Sequence, residues 1–120
     1  MAGTRRMAVA SLALAAGTVL AGCGGPKTDH LKADDGPLQP SGNGITPVKL
    51  SAKKGHKVQI VVSNTAKDKQ HGFSIDAFDV HEVIDQGKTT TVKFKASQAG
   101  TFKVYCQLHP THQPSELTVS

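Results

Sequence analysis

Three potential metal ligands follow one another at three-residue steps near the C-terminus. The segment reads Cys106-Gln107-Leu108-His109-Pro110-Thr111-His112 and offers one thiol and two imidazoles. Upstream, His71 alternates with Phe73 and Ile75 in a strand-like run, which places its imidazole on the apolar face of that strand. Thiolates and imidazoles are ligands that copper and zinc take from proteins. The sequence therefore predicts a metal site formed by His71, Cys106, His109 and His112.

Copper and zinc both suit these donors, and two residues are candidates for the fourth ligand. Two imidazoles, one thiolate and a weaker axial group describe the blue-copper arrangement, while a thiolate with two or three imidazoles also satisfies tetrahedral zinc. The fourth position is predicted for His112, with the side-chain oxygen of Gln113 as the alternative. A binuclear copper site of the kind bridged by two cysteine thiolates would need two cysteines in this loop, and only Cys106 is present there. The predicted site is therefore mononuclear.

The elements that must position these ligands are short β-strands. Residues 57–64 place Val58, Ile60 and Val62 at alternate positions, as a half-buried strand does. The same parity links Phe102, Val104 and Cys106 and directs the thiol toward the interior. Further strands are expected at residues 46–52, 90–96 and 116–120. Because helical periodicity is absent, the sequence predicts one all-β domain over residues 45–120.

The N-terminal segment has the features of a secretory leader. Arg5 and Arg6 precede an apolar run that ends at Leu20, and residues 1–22 are predicted to form the signal peptide. Leu20-Ala21-Gly22-Cys23 resembles the bacterial lipobox, which implies acylation of Cys23 and an extracytoplasmic protein anchored to the bacterial cell membrane, on its periplasmic or outer face. Ordinary cleavage with an incidental cysteine, or a disulfide between Cys23 and Cys106, are the alternatives.

Residues 23–44 are predicted to form a flexible tether. The segment consists largely of Gly, Pro, Asp, Lys and Ser with almost no apolar periodicity. His30 within it is expected to be solvated and not a ligand. Such a tether would hold the domain away from the membrane surface.

The charge pattern gives no indication of a nucleic-acid partner. The formal net charge is +5, of which Arg5 and Arg6 supply two positive charges in the leader. Seven of the twelve remaining cations mostly occupy polar positions of the predicted strands, so they are expected to face solvent. These are Lys49, Lys53, Lys54, Lys57, Lys93, Lys95 and Lys103. His56 and His81 are likewise expected to be ordinary surface residues, and a second metal site at His81 and Glu82 is not favoured.

Four segments of the chain resemble the cupredoxin family, in particular its red-copper branch, the nitrosocyanins. They are Gly72-Phe73-Ser74-Ile75-Asp76-Ala77-Phe78, Glu82-Val83-Ile84, Ala99-Gly100 and Cys106-Gln107-Leu108-His109-Pro110. The resemblance covers residues 47–120 and implies a Greek-key β-sandwich. It also implies one copper ion held by Cys106, His109 and His112. In that branch a Glu ligand stands where this chain has His71, and the ligand loop is two residues longer.

The resemblance and the secretory leader favour copper and one-electron chemistry. The leading expectation is an electron carrier that cycles between Cu(II) and Cu(I) and exchanges electrons with an extracytoplasmic redox protein. One alternative is nitrosocyanin-like binding of nitric oxide or another small molecule, or redox catalysis. Another is a copper carrier that delivers metal to an oxidase or reductase. Carriers of that kind often use Met-rich sites, whereas both methionines of this chain, Met1 and Met7, lie in the leader.

Overall fold

The regular elements of the described residues are β-strands and one short 3₁₀ turn. The computed structural model describes residues 27–39, 41–67 and 69–120. Its strands are β1 (Thr28–Pro37), β2 (Asn43–Thr46), β3 (Lys49–Ala52), β4 (Lys57–Asn64), β5 (His71–Ile75), β6 (Val80–Ile84), β7 (Thr89–Lys95), β8 (Gly100–Val104) and β9 (Ser115–Val119). A single turn of 3₁₀ helix, Asp76–Phe78, connects β5 to β6. The prediction of an all-β domain is confirmed.

The strands form two sheets and a hairpin that enclose one apolar core. One sheet has the order β2-β1-β4-β7, the other has the order β3-β9-β8, and β5 pairs with β6. β1 and β4 are parallel, as are β3 and β9, and the remaining named pairs are antiparallel. The core combines side chains from both sheets and the hairpin, including Ile60, Val92, Leu117 and Phe73. Two sheets packed through such a core form a β-sandwich.

The predicted strand pattern is correct in the centre of the sandwich and wrong near residue 47. β4 occupies Lys57–Asn64, and Val58, Ile60 and Val62 are all buried. The expected strand at residues 46–52 is instead two strands, β2 and β3, which belong to different sheets. Pro47 lies between them and has no backbone N–H with which to continue a ladder.

The predicted tether is wrong for most of its length. Thr28–Pro37 forms β1, which runs parallel to β4 in a register that begins with Thr28 opposite Lys57. β2 then pairs back onto β1, so β1 lies between two partner strands and both edges of its backbone are used. The folded domain therefore begins near residue 28, not at residue 45. His30 is exposed, as expected.

The surface follows the charge pattern expected from the sequence. All seven lysines named above are exposed. Within the described part of the chain, no helix is long and apolar enough to cross a bilayer. The predicted signal peptide, residues 1–22, and the predicted lipidation site, Cys23, lie outside the described residues.

Candidate metal centre

His71 is the innermost of the predicted ligands. It begins β5 opposite Ile84 of β6, and its side chain is 0% exposed. Its Nδ1 lies 2.8 Å from Oδ1 of Asp35, which is equally buried. Its other ring nitrogen, Nε2, is buried without a hydrogen-bond partner. A buried polar atom without a partner is costly, so the buried His71 side chain is a candidate metal ligand.

The other three predicted ligands lie on the loop between β8 and β9, residues 106–114, which we call the ligand loop. Its start is fixed by the pairing of Tyr105 with Ser74. Two successive turns follow, in which the His109 N–H donates to the Cys106 carbonyl and the His112 N–H donates to the His109 carbonyl. Side chains three residues apart lie on the same side of such turns. The three-residue spacing therefore brings the thiol and both imidazoles to one side of the loop.

The three imidazoles and the thiol form one cluster. The ring centroid of His71 lies 4.8 Å from that of His109 and 5.1 Å from that of His112. The rings of His109 and His112 are stacked, with centroids 4.6 Å apart. One donor atom from each of these residues and from Cys106 can be chosen such that all four lie within 4.8 Å of one another. His71 and Cys106 are buried and His109 and His112 are partly exposed, so the cluster extends from the core to the surface.

The Cys106 thiol is held from two sides. It is 3% exposed, its Sγ accepts a hydrogen bond from the Gly72 N–H at 3.1 Å, and it lies 3.4 Å from Nδ1 of His109. Metal–sulfur and metal–nitrogen bonds of about 2.3 Å and 2.0–2.1 Å at a tetrahedral angle place the two ligand atoms about 3.5 Å apart. The observed separation therefore fits ligation of one ion by Cys106 and His109.

Gln107 connects the ligand loop to the β5–β6 hairpin. Its Oε1 accepts a hydrogen bond from the Ser74 hydroxyl at 2.7 Å, and its Nε2 donates to the Glu82 carbonyl at 3.0 Å. The amide lies against Gly72 so closely that a Cβ there would be 2.0 Å from Oε1. The hairpin that carries His71 and the loop that carries the other ligands are therefore joined beside the site.

Burial favours the neutral form of the outer imidazole, His112, and opposes ionisation of the Asp35 carboxyl group. Burial lowers the pKa of His112, and the positive charges of His109, His71 and Lys69 lower it further. Neutral imidazole is the form that binds metal. Burial raises the pKa of Asp35, whereas the charge of His71 and the hydrogen bond to it act in the opposite direction.

A cleft leads to the exposed side of the cluster. Its volume is about 330 Å³, and its walls include Lys103, Tyr105, Cys106, His109, Pro110 and His112. A molecule of a few atoms could therefore approach the thiol and the two outer imidazoles from solvent.

The structure brings together all four residues predicted as ligands. The alternative fourth ligand, Gln113, is exposed, and its backbone is bonded to β2 through the Ile45 N–H and the Asn43 carbonyl. His56 is partly buried and lies 3.0 Å from Asp29, although it was expected to be a surface residue. His81 is exposed, as expected, and it pairs with Asp76.

Sequence reasoning missed two residues that contact the site, Asp35 and Gln107. Asp35 lay in the segment interpreted as a tether, and the only signal for it was a weak alternation in which it follows Leu31 and Ala33 at two-residue steps. Gln107 had no signal beyond its position between two ligands. The contacts of both residues depend on elements distant in sequence, since Asp35 meets β5 and Gln107 meets both strands of the hairpin.

The donor set fits a copper ion. A soft thiolate with two or three imidazoles is a combination that copper takes in proteins. Two ring nitrogens of the cluster residues, Nε2 of His71 and Nδ1 of His112, are also buried without hydrogen-bond partners. The cluster is therefore a candidate copper site.

Comparison with known proteins agrees with this fold. A family model described as a cupredoxin-like domain matches residues 10–119. Over 56 residues, or 45% of the chain, the sequence is 36% identical to the nitrous-oxide reductase of Ralstonia nicotianae, of which it spans only 9%. A segment of the same length is also 36% identical to the nitrous-oxide reductase of Cupriavidus necator.

Two solved structures illustrate the similarity in fold. The copper nitrite reductase of Nitrosomonas europaea superposes with a TM-score of 0.64 at 16% identity, covering 78% of this chain and 42% of that one. Reduced auracyanin from Roseiflexus castenholzii gives a TM-score of 0.62 at 17% identity, covering 80% of this chain and 99% of that one. Because the family match extends over nearly the whole chain and the structure has the same β-sandwich, the protein belongs to the cupredoxin-like domain family.

Proposed function

We propose that the protein is an electron carrier that binds one copper ion through His71, Cys106, His109 and His112. The observation that carries this proposal is the convergence of one thiol and three imidazoles, whose ligand atoms lie within 4.8 Å of one another. Bound copper supplies one-electron chemistry by alternating between Cu(II) and Cu(I).

The residues around the cluster would keep it in place during electron transfer. His71 is fixed by burial and by Asp35, and the thiol is fixed by the Gly72 N–H. Gln107 joins the ligand loop to the hairpin. Ligands held in this way need little rearrangement when the charge of the bound ion changes, and a small rearrangement favours fast electron exchange.

We further propose that the domain is extracytoplasmic and anchored to a bacterial membrane through acylated Cys23. The support is the leader and the lipobox-like Leu20-Ala21-Gly22-Cys23. A Cys23→Ala variant should then be released from membranes or remain as an uncleaved precursor. If that variant is still processed and still sediments with membranes, the anchor assignment is wrong. The proposed partner is an extracytoplasmic redox protein.

The cleft at the site supports a second candidate function, the binding of a small molecule such as nitric oxide. It reaches the thiol and the two outer imidazoles from solvent. This is also the function suggested by the resemblance to nitrosocyanins. In that case the fourth position would be exchangeable, and His112, which is partly exposed, would be the ligand displaced.

One experiment on the purified domain separates these functions. The protein is loaded with copper, its stoichiometry is measured, and it is cycled with mild oxidants and reductants while released metal is trapped by a Cu(I) chelator. We expect one retained copper per chain and repeated reversible cycling. Loss of Cu(I) to the chelator would instead support copper delivery, and a large spectral change with nitric oxide would support small-molecule binding. Preferential retention of zinc over copper would contradict the proposal.

A further inference from the structure

One end of the β-sandwich is rich in lysine. The Lys57 N–H donates to the carbonyl of Lys27, directly before β1, and Lys57 is opposite Lys95 in the β4–β7 register. Lys53 and Lys54 lie in the turn between β3 and β4, at the same end. All five residues are exposed. We call this set the lysine end.

Negative charge at the lysine end is already bonded to other groups. Asp29 accepts a hydrogen bond from the Lys53 N–H at 2.8 Å and lies 3.0 Å from Nδ1 of His56. Ser120, the last residue of the sequence, accepts from the Lys54 N–H through its main-chain oxygen. The ion pairs between described residues all involve a histidine. The five ammonium groups therefore form no ion pair with a described carboxylate and remain available to an anionic surface.

A cleft in the lysine end is wide enough for part of an anionic headgroup. Its volume is about 440 Å³, and its walls include Lys57, Lys93 and Lys95 together with Thr28 and Gln59. A lysine ammonium group carries three donors that can turn toward phosphate oxygens. Clustered lysines close to a membrane anchor are attracted to anionic lipids.

The start of β1 fixes how close this end lies to the predicted lipidation site. Lys27 is four residues after Cys23. Because an extended chain spans at most about 3.6 Å per residue, the two Cα atoms are at most about 14 Å apart. A tether of residues 23–44 would have left the domain free to turn in any direction. With β1 in the sheet, the connection is short enough to keep the lysine end beside the membrane.

The ligand cluster lies at the other end of the sandwich. The ligand loop joins the end of β8 to the start of β9, whereas Ser120, beyond the end of β9, bonds to Lys54. From Thr28 to Asp35, which contacts His71, β1 advances about 23 Å at roughly 3.3 Å per residue. A membrane against the lysine end would therefore leave the cleft at the metal centre facing the aqueous phase.

We propose that the lysine end binds anionic lipid headgroups and holds the acylated protein with its metal centre facing away from the bilayer. This inference rests on the proposed anchor at Cys23. The acyl chains hold the protein on the membrane, and the lysines determine which end faces it. Each lysine close to an anionic surface strengthens binding roughly fivefold, and salt weakens the attraction.

Vesicle binding by residues 24–120 tests the lysines without the anchor. This chain contains every described strand and lacks both the leader and Cys23. It should sediment with phosphatidylcholine vesicles that contain phosphatidylglycerol, but not with pure phosphatidylcholine vesicles, and high salt should release it. The variant K54Q/K57Q/K95Q should bind about 100-fold more weakly.

The matched control removes three lysines from the opposite ends of the strands. K49Q/K67Q/K88Q makes the same change of net charge at exposed positions, and it should bind within about fivefold of the native chain. An equal loss in both variants, or no binding to anionic vesicles, would refute the proposal. Sodium phosphate should release no more protein than sodium chloride of the same ionic strength. Greater release would indicate a site for free phosphate and would overturn the assignment to a membrane surface.

The orientation is measured on the processed, acylated protein in lipid nanodiscs that carry a paramagnetic label on the headgroups. Amide signals of Lys54 and Lys57 should broaden much more than those of His109 and His112. Stronger broadening of the ligand-loop signals would refute the orientation. If Cys23 carries no lipid, the anchor proposed above is wrong, whereas vesicle binding by residues 24–120 still decides whether the lysine end binds anionic lipid.

Discussion

The contact between Gly72 and Gln107 allows a sharp test of how the ligand loop is held. Gly72→Ala adds a methyl group at a point 2.0 Å from Oε1 and 2.4 Å from Cδ of Gln107. The amide of Gln107 must therefore move and give up its bonds to the Ser74 hydroxyl and the Glu82 carbonyl. Gly72 is not among the glycines with positive φ, so alanine is compatible with its backbone.

The expected cost follows from two opposing effects. Loss of two hydrogen bonds at about 0.5–1.5 kcal/mol each destabilises the fold by about 1–3 kcal/mol. Alanine in place of glycine within a strand returns about 0.5–1 kcal/mol. We therefore expect G72A to lower the free energy of unfolding by about 0–2.5 kcal/mol. Because Ser74 is fully buried, its unpaired hydroxyl should keep the cost in the upper part of this range.

A double-mutant cycle on the metal-free protein identifies the cause. Gln107→Ala removes the amide and should by itself cost about 1–3 kcal/mol, since the same two hydrogen bonds are lost. In that background the added methyl group no longer meets the amide, so G72A should become neutral or stabilising by up to about 1 kcal/mol. Urea denaturation of the four proteins measures both effects. If G72A costs the same in both backgrounds, steric displacement of Gln107 is not its mechanism, and the role assigned to this contact is wrong.

Three further substitutions test the site and the attachment of β1. Cys106→Ser should abolish the thiolate-to-Cu(II) charge-transfer band while the protein stays folded; an unchanged visible spectrum would refute the site. His112→Met should raise the reduction potential and shift the colour from green or red toward blue, because imidazole is a stronger donor than thioether. If the native protein is already intensely blue and the substitution barely changes its spectrum, His112 is not a ligand. The Lys53 N–H, and then His56, hold the pKa of Asp29 below its usual range. The stabilisation from ionised Asp29 is present above about pH 4 and is lost as the pH falls through the pKa of Asp29 in the folded protein. The wild-type protein should therefore be more stable than Asp29→Asn at pH 7, and this difference should disappear at low pH. Urea midpoints at pH 7 and pH 3 check this, and equal midpoint differences at both pH values would contradict it.

The strands that the sequence predicted well are those buried on one face by apolar residues. β4 places Val58, Ile60 and Val62 inward at every second position, and this periodicity is enough to identify the strand and its buried face. The grouping of the three ligands on the ligand loop could also be predicted, because successive turns of three residues bring side chains spaced by three to the same side. The positions of His71 and Cys106 also followed from alternation with neighbouring apolar residues.

β1 was missed because its stability does not come from its own apolar residues. Of its inward side chains only Leu31 and Ala33 are apolar, and the next inward position is Asp35, which reads as a loop residue in isolation. The free-energy cost of burying Asp35 is offset by its hydrogen bond to His71, which is 36 residues away in the sequence. Backbone pairing with β4 and β2 supplies the rest. A single sequence does not reveal that one polar residue will be the buried partner of another.

Strand β1, which the sequence pattern did not predict, contributes both to the sheet and to the candidate metal site. β1 is the central partner of β2 and β4, and near its C-terminal end it carries the carboxyl group that contacts His71. A chain that began at residue 45 would leave one edge of β4 unpaired, and it would also remove the hydrogen-bond acceptor from Nδ1 of a buried imidazole. Both losses affect the same region of the core, since Asp35 is opposite Asn64 at the end of β4. The smallest unit able to hold the inner ligand in its observed orientation therefore includes β1, and residues 28–37 are part of the site as well as part of the sheet.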